Sequence, residues 1–170
     1  NPVGVLCHRI EARYKLIVGR PALRLNVSNS VTGLAGIDIA GIEIAPLSLG
    51  DVVLSENEKD LGCALINFGA GVTSVAIYKG GKLIDLSVVP LGSNLITKDI
   101  TALHVVESEA ERLKLTYGAA KADREHDMEI PLSAADGSVR KLNLYELNSV
   151  VEARMDEILQ NVYARLESSG

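Results

Sequence analysis

Three features of the sequence predict an α/β (α+β) fold. Between Gly62 and Leu86, the apolar run Ala64 to Ile66 meets Gly69 and Gly71. Val72, Val75, Ile77 and Tyr78 then lead into a Lys79-Gly80-Gly81-Lys82 turn, a pattern of strand, glycine turn, strand, turn, strand. At the far end, Leu144, Leu147, Val150, Val151, Met155, Ile158, Leu159, Val162 and Leu166 fall on one stripe of a long helix, with Glu146, Glu152, Arg154, Asp156, Glu157 and Arg165 largely off it. The chain of 170 residues, 47% apolar and 23% charged, is large enough and apolar enough to bury a core between them.

Taken in order, residues 3–18 alternate like a strand, Val5 and Cys7 against Leu6, His8 and Ile10, followed by Ala12, Tyr14, Leu16 and Val18. Arg20 to Leu34 predicts a short helix ending at Gly33, with Asn26 and Ser28 as candidate caps. Ile37, Ile39, Ile42, Ile44 and Leu47 predict a strand broken near Gly41, and Asp51 to Leu54 continues as a strand. Together these segments make a small α+β unit. Ser55 followed by Glu58 is a capping box and predicts a one-turn helix, where the domain boundary is drawn. Beyond the central hairpin, Ser93 or Asn94 caps a helix bearing Leu95, Ile96, Asp99, Ile100 and Leu103. Ser108 to Gly118 is a second helix, capped by Ser108 and stopped by Gly118. Met128 to Leu132 and Val139 to Leu142, joined by a turn at Ala135, Asp136, Gly137 and Ser138, predict a β-hairpin before the last helix.

Two places carry candidate chemistry. Gly69 and Gly71, a residue apart, allow positive φ and bring backbone N–H groups together around an anion, with the Thr73 hydroxyl as one more donor. This is a phosphate cradle in principle, although a plain hairpin needs the same residues for its turn. A Rossmann or P-loop motif leads from strand into helix, whereas here both flanks are strands. Glu111 and Lys114, one helical turn apart, form an i,i+3 ion pair worth roughly 0.2–0.5 kcal/mol.

Other classes are disfavoured. The net charge of −5, with acids and bases interspersed, offers no basic nucleic-acid surface. No apolar run approaches the roughly 20 residues of a membrane helix. Cys7 and Cys63, far apart and without a Cys-x-x-Cys motif, read as reduced, buried thiols. His8, His104 and His126 are scattered and are assigned no ligand or catalytic role. With Asn1-Pro2 in place of an initiator Met and Ser168-Ser169-Gly170 directly after a helical run, the chain reads as an excised piece.

The run Asn67-Phe68-Gly69-Ala70-Gly71-Val72-Thr73 between two strands resembles the D-x-G-x-G-x-T phosphate hairpin of the actin-like ATPases. A longer match runs through Asn1-Pro2-Val3-Gly4, Arg9-Ile10-Glu11, Pro46-Leu47-Ser48 and Val52 to Gly62, then Pro90-Leu91-Gly92-Ser93 and Ile96-Thr97-Lys98-Asp99-Ile100. It covers nearly the whole chain in one order and is similar to the bacterial actin-like cell-division family FtsA. The resemblance implies an actin-like (ribonuclease H-like) lobe with a small SHS2-type subdomain. Residues 1–58 would be that subdomain, 59–122 the core subdomain with the phosphate hairpin, and 123–170 a truncated outer subdomain.

The resemblance further implies that, in an intact parent, ATP lies against Gly69, Ala70, Gly71 and Thr73, with Glu111 and Lys114 at the ribose and base. Asn67 stands where the family carries an acid that holds a magnesium-bound water, so Mg²⁺ has no direct ligand here and Asn67 reaches it at most through water. The neutral side chain implies weakened magnesium binding or hydrolysis, or a deliberate Asp-to-Asn change. No residue is assigned as a catalytic base, and at most a weak ATPase is expected of the parent. Such a parent forms filaments at the cytoplasmic face of the membrane at the division site. It binds the C-terminal tail of FtsZ through its outer subdomain and recruits later division proteins through the small one. Its membrane helix lies outside this segment, and a nucleotide site split between two lobes leaves the segment with weak ATP binding or none. Two rivals are an actin-like pilus-assembly adaptor and an actin-fold small-molecule kinase; against the latter, no acid near the hairpin is placed to deprotonate an acceptor.

Overall fold

The computed structural model describes residues 4, 6, 8–12, 14, 16–133 and 137–169, which form two compact units, 1–43 and 44–170. In the first unit the only regular structure among the described residues is helix α1, Pro21–Ser28, which starts on a proline in its first turn and runs on into a π-helical segment, Asn29–Leu34. The helix expected up to Gly33 is therefore present, with a widened last turn. The strand expected over 3–18 is not formed by its described residues, and Val3, Val5 and Cys7 lie outside them. Leu6, Ile10, Tyr14, Leu16 and Val18 are exposed, so the alternation has no surface to bury against.

The isoleucine-rich stretch 37–44, which ends at the first residue of the second unit, has no regular structure, and the strand expected at Asp51 to Leu54 is helix α2 of the second unit, Ala45–Val53. Pro46 sits in its first turn, where a missing N–H costs nothing. Gly50 brings the helix against Tyr78 so closely that a Cβ there would lie 2.4 Å from the Tyr78 hydroxyl oxygen. Helix α3, Glu56–Leu61, carries the expected capping box. The Ser55 hydroxyl accepts from the Glu58 N–H, and the Glu58 carboxylate accepts from the Ser55 N–H at 2.8 Å. Lys59 on α3 is buried, bonded to Asp51 and Glu56 and set 5.9 Å from the Tyr78 ring centroid.

Strands β1, Cys63–Phe68, β2, Thr73–Lys79, and β3, Lys82–Val89, form an antiparallel sheet in that order. The turn between β2 and β3 is held by Gly80 and Gly81, both at positive φ, whose N–H groups donate to the Asp60 and Lys59 carbonyls at the end of α3. The sheet leads into helices α4, Ser93–Thr101, and α5, Glu107–Tyr117. Helix α5 begins one residue before Ser108, after Val106, with no side-chain cap, and stops at Gly118 as expected. The hairpin β4, Glu129–Ser133, with β5, Val139–Asn143, precedes the long helix α6, Leu144–Ser169.

Helix α6 joins two core clusters. Its Leu147 and Val151 pack with Ile100, Leu113, Ile130 and Leu142, while Ile158 and Val162 pack on Val75 of the sheet. Leu159 is 47% exposed, because it follows Ile158 and is turned about 100° away from the buried stripe. Buried Glu109 of α5 takes Arg112 at 2.7 Å through each carboxylate oxygen and the Ser133 N–H at 2.8 Å, tying the hairpin to α5. The Arg112 guanidinium, ahead of the Ser133 amide, holds the Glu109 carboxyl well down, at about 2. Cys63 is a free, half-buried thiol; Cys7 lies outside the described residues. No described helix is long and apolar enough to cross a membrane, and no cluster of three or more candidate metal ligands occurs among the described residues.

Candidate functional site

The site is built where the β1–β2 loop meets the start of α4. Residues 69–72 leave β1, and the Gly69 N–H closes the loop onto the Val72 carbonyl at 2.9 Å. The loop carbonyls are gripped from the other side: Ser93 N–H donates to Gly69 O at 3.0 Å and Asn94 N–H to Ala70 O at 2.9 Å. These are N–H groups that a helix start leaves unpaired, so the loop rather than a side chain caps α4. Neither Ser93 nor Asn94 is the cap expected from sequence; the N-cap is Gly92, which makes no side-chain bond. A Cβ at Gly92 would lie 2.5 Å from Ala70 O and 2.6 Å from Gly69 O, so only glycine permits this approach.

The grip fixes which way the loop's donors face. In a planar trans peptide, the N–H of one residue points opposite to the C=O of the residue before it. With the Gly69 and Ala70 carbonyls turned onto α4, the N–H groups of Ala70 and Gly71 are turned away from it. The amides of Ala70, Gly71 and Val72 have no acceptor among the described residues, and all three residues are exposed. The loop therefore presents adjacent, open backbone donors suited to an anion.

The glycines serve a purpose other than the one expected. Neither Gly69 nor Gly71 is at positive φ. Gly69 is needed because a Cβ would meet Val72 O at 2.7 Å, whereas a Cβ at Gly71 has nothing within 4 Å. Thr73 is fully buried and its hydroxyl donates to the Leu91 carbonyl at 2.9 Å, so it pins β2 to the segment leading into α4. Asn67 is exposed near the end of β1, in register with Ser74.

Glu111 and Lys114 form the expected ion pair, 2.7 Å from Nζ to Oε2, and they meet α4 at the same turn that holds the loop. The Thr97 hydroxyl donates to Glu111 at 2.6 Å and accepts from Lys114 at 2.8 Å, and Lys114 Nζ also faces the Ser93 carbonyl at 3.4 Å. The Lys114 ammonium, followed by the Thr97 hydroxyl, holds the Glu111 carboxyl below the usual glutamate range. The loop and the ion pair thus share the first turn of α4. Sequence reasoning missed Gly92 and Thr97 as parts of this site; the Pro90-Leu91-Gly92 run ahead of a helix was the available signal.

A protein-family model described as "Cell division protein FtsA" matches residues 64–155. The cell division protein FtsA of Porphyromonas gingivalis is 39% identical over 168 residues, covering 98% of this chain and 35% of that protein. That of Bacillus subtilis is 38% identical over 173 residues, covering 100% of this chain and 39% of that protein. The chain spans well under half the length of these relatives. Among solved structures, MreB5 of Spiroplasma citri bound to ADP matches with a TM-score of 0.68 at 20% identity, over 89% of this chain and 50% of that one. That likeness concerns the fold, which is actin-like.

Proposed function

The chain belongs to the FtsA family of cell-division proteins, and from that premise we propose that it is a segment of a longer FtsA protein whose loop 69–72 holds the β- and γ-phosphates of ATP. The observation that carries this reading is the peptide orientation in the loop. Two carbonyls are held by α4, which turns the amides of Ala70 and Gly71 away from it, and the neighbouring Val72 amide is also open. Gly69 and Thr73 keep that geometry, Asn67 stands beside it in place of a magnesium-water acid, and Glu111 and Lys114 face the nucleoside. The solved MreB5 proteins carry ADP or AMPPNP, ligands of this same class.

In this reading residues 1–58 are the SHS2-type subdomain that contacts protomers and later division proteins, 59–122 the core subdomain, and 123–170 part of the outer subdomain that takes the FtsZ tail. The longer protein assembles into filaments and tethers FtsZ to the cytoplasmic face of the membrane at the division site, through a membrane helix outside this segment. Its ATPase is weak at most, with the neutral Asn67 in place of the acid. ATP sits between two lobes, so the segment alone binds it weakly or not at all.

Calorimetry of ATP with and without Mg²⁺, on the longer protein with Asn67 and with Asn67→Asp, tests the reading. Binding that depends on Mg²⁺ and tightens about tenfold with the aspartate, or about 1.4 kcal/mol, is expected. Absence of binding by both forms would leave the loop as a turn only.

A further inference from the structure

Lys114 is placed to act on the phosphate loop through the backbone, without touching it. Its three ammonium donors have three acceptors: Glu111 Oε2 at 2.7 Å, Thr97 Oγ1 at 2.8 Å and the Ser93 carbonyl at 3.4 Å. The last distance is long for a hydrogen bond, but it sets a full charge against a carbonyl dipole, with only 12% of the lysine side chain exposed. Thr97 has a single hydroxyl proton, and at 2.6 Å it goes to Glu111 rather than to the Ser93 carbonyl 3.4 Å away, so the lysine is the charged group facing that carbonyl beside the helix's own Thr97 N–H.

The peptide group between Ser93 and Asn94 is bonded at both ends. Its carbonyl faces Lys114, and its N–H donates to Ala70 O at 2.9 Å. The Ala70 carbonyl belongs in turn to the peptide group whose other end is the open Gly71 N–H. An ammonium, two peptide groups in series and an unpartnered donor thus form one line, in which each bond polarises the next in the same sense.

We propose that Lys114 is a positioning residue for the phosphate site, strengthening the Gly71 N–H as an anion donor through the Ser93–Asn94 and Ala70–Gly71 peptide groups, with Thr97 holding the ammonium on that line and Glu111 opposing it. The proposal rests on the phosphate reading of loop 69–72. It makes the two acidic and basic members of the pair act with opposite signs, which a loss of packing does not do.

The test is the amide proton shift of Asn94 and Gly71 in the full chain without ligand, for Lys114→Gln, Lys114→Arg and Glu111→Gln. Lys114→Gln is expected to move both amides upfield, Glu111→Gln downfield, and Lys114→Arg to keep them near the wild-type positions. Equal signs for the two glutamine variants, or no movement, would overturn the relay. In the longer protein, inorganic pyrophosphate, which has neither ribose nor base, is titrated by calorimetry beside Mg–ATP. A several-fold loss of pyrophosphate affinity in Lys114→Gln supports the relay; a loss confined to ATP makes Lys114 a direct nucleoside contact and overturns it. Wild type that binds neither ligand refutes the phosphate reading, and the signs of the amide shifts then decide the backbone relay by themselves.

Discussion

Replacing Gly92 by alanine tests how the loop is held. The backbone there is extended, φ −152° and ψ −179°, a conformation open to alanine, so any effect is steric rather than torsional. The new Cβ would lie 2.5 Å from Ala70 O, 2.6 Å from Gly69 O and 2.7 Å from the Ala70 carbonyl carbon. All three are backbone atoms, which cannot swing aside as a side-chain tip does. Relief requires the loop to leave α4, breaking the Ser93 N–H bond to Gly69 O and the Asn94 N–H bond to Ala70 O. Two hydrogen bonds at about 1 kcal/mol each, with about 1–2 kcal/mol of residual overpacking, give a loss of about 3–4 kcal/mol. That is roughly a 150- to 800-fold fall in the folding equilibrium constant. Urea unfolding measures the loss, and hydrogen exchange at the Ser93 and Asn94 amides reports the bonds themselves. Gly71→Ala is the control: with nothing within 4 Å of its Cβ and no positive φ, it is expected to fall within about 0.5 kcal/mol of wild type. Gly92→Ala with wild-type stability and protected Ser93 and Asn94 amides would show that the loop does not depend on glycine at this contact.

Two other predictions concern the scaffold. Glu109 has its folded pKa depressed from 4.5 to about 2, so its ionised form favours the native state. Its contribution, on the order of 2 kcal/mol, is complete above the unfolded value and drains away as pH falls from about 4.5 towards 2. Glu109→Gln is expected to lower stability at neutral pH and flatten that acid limb, read by urea midpoints between pH 7 and 3. Gly81, at φ +67°, is expected to lose about 1–2 kcal/mol as alanine, measured in the same way.

The sheet and the last helix were legible because their signals are local and redundant. Gly80-Gly81 between alternating strands fixes a hairpin register, and the apolar stripe of α6 needs only a period of 3.6. The Ser55–Glu58 capping box was equally plain. Helix α2 was misread as strand because the apolar run into Ala45 carries strong β-propensity, while the deciding contact, Gly50 on Tyr78, lies 28 residues away. The site was legible as a list of residues and not as a mechanism. Spacing shows that Gly69 and Gly71 are small; it does not show that α4 turns the intervening peptides, or that Leu91 takes the Thr73 hydroxyl proton. The direction of a peptide N–H is set by a partner distant in sequence.

In the proposed function the open amides of Ala70, Gly71 and Val72 receive the phosphates of ATP. Hydrogen–deuterium exchange on the longer protein, with and without Mg–ATP, reads those amides directly through fragments spanning Phe68 to Thr73. Slowed exchange at Ala70, Gly71 and Val72 is expected on adding Mg–ATP, with the Ser93 and Asn94 amides protected in both states. Nucleotide binding that leaves the loop's exchange unchanged would contradict that function.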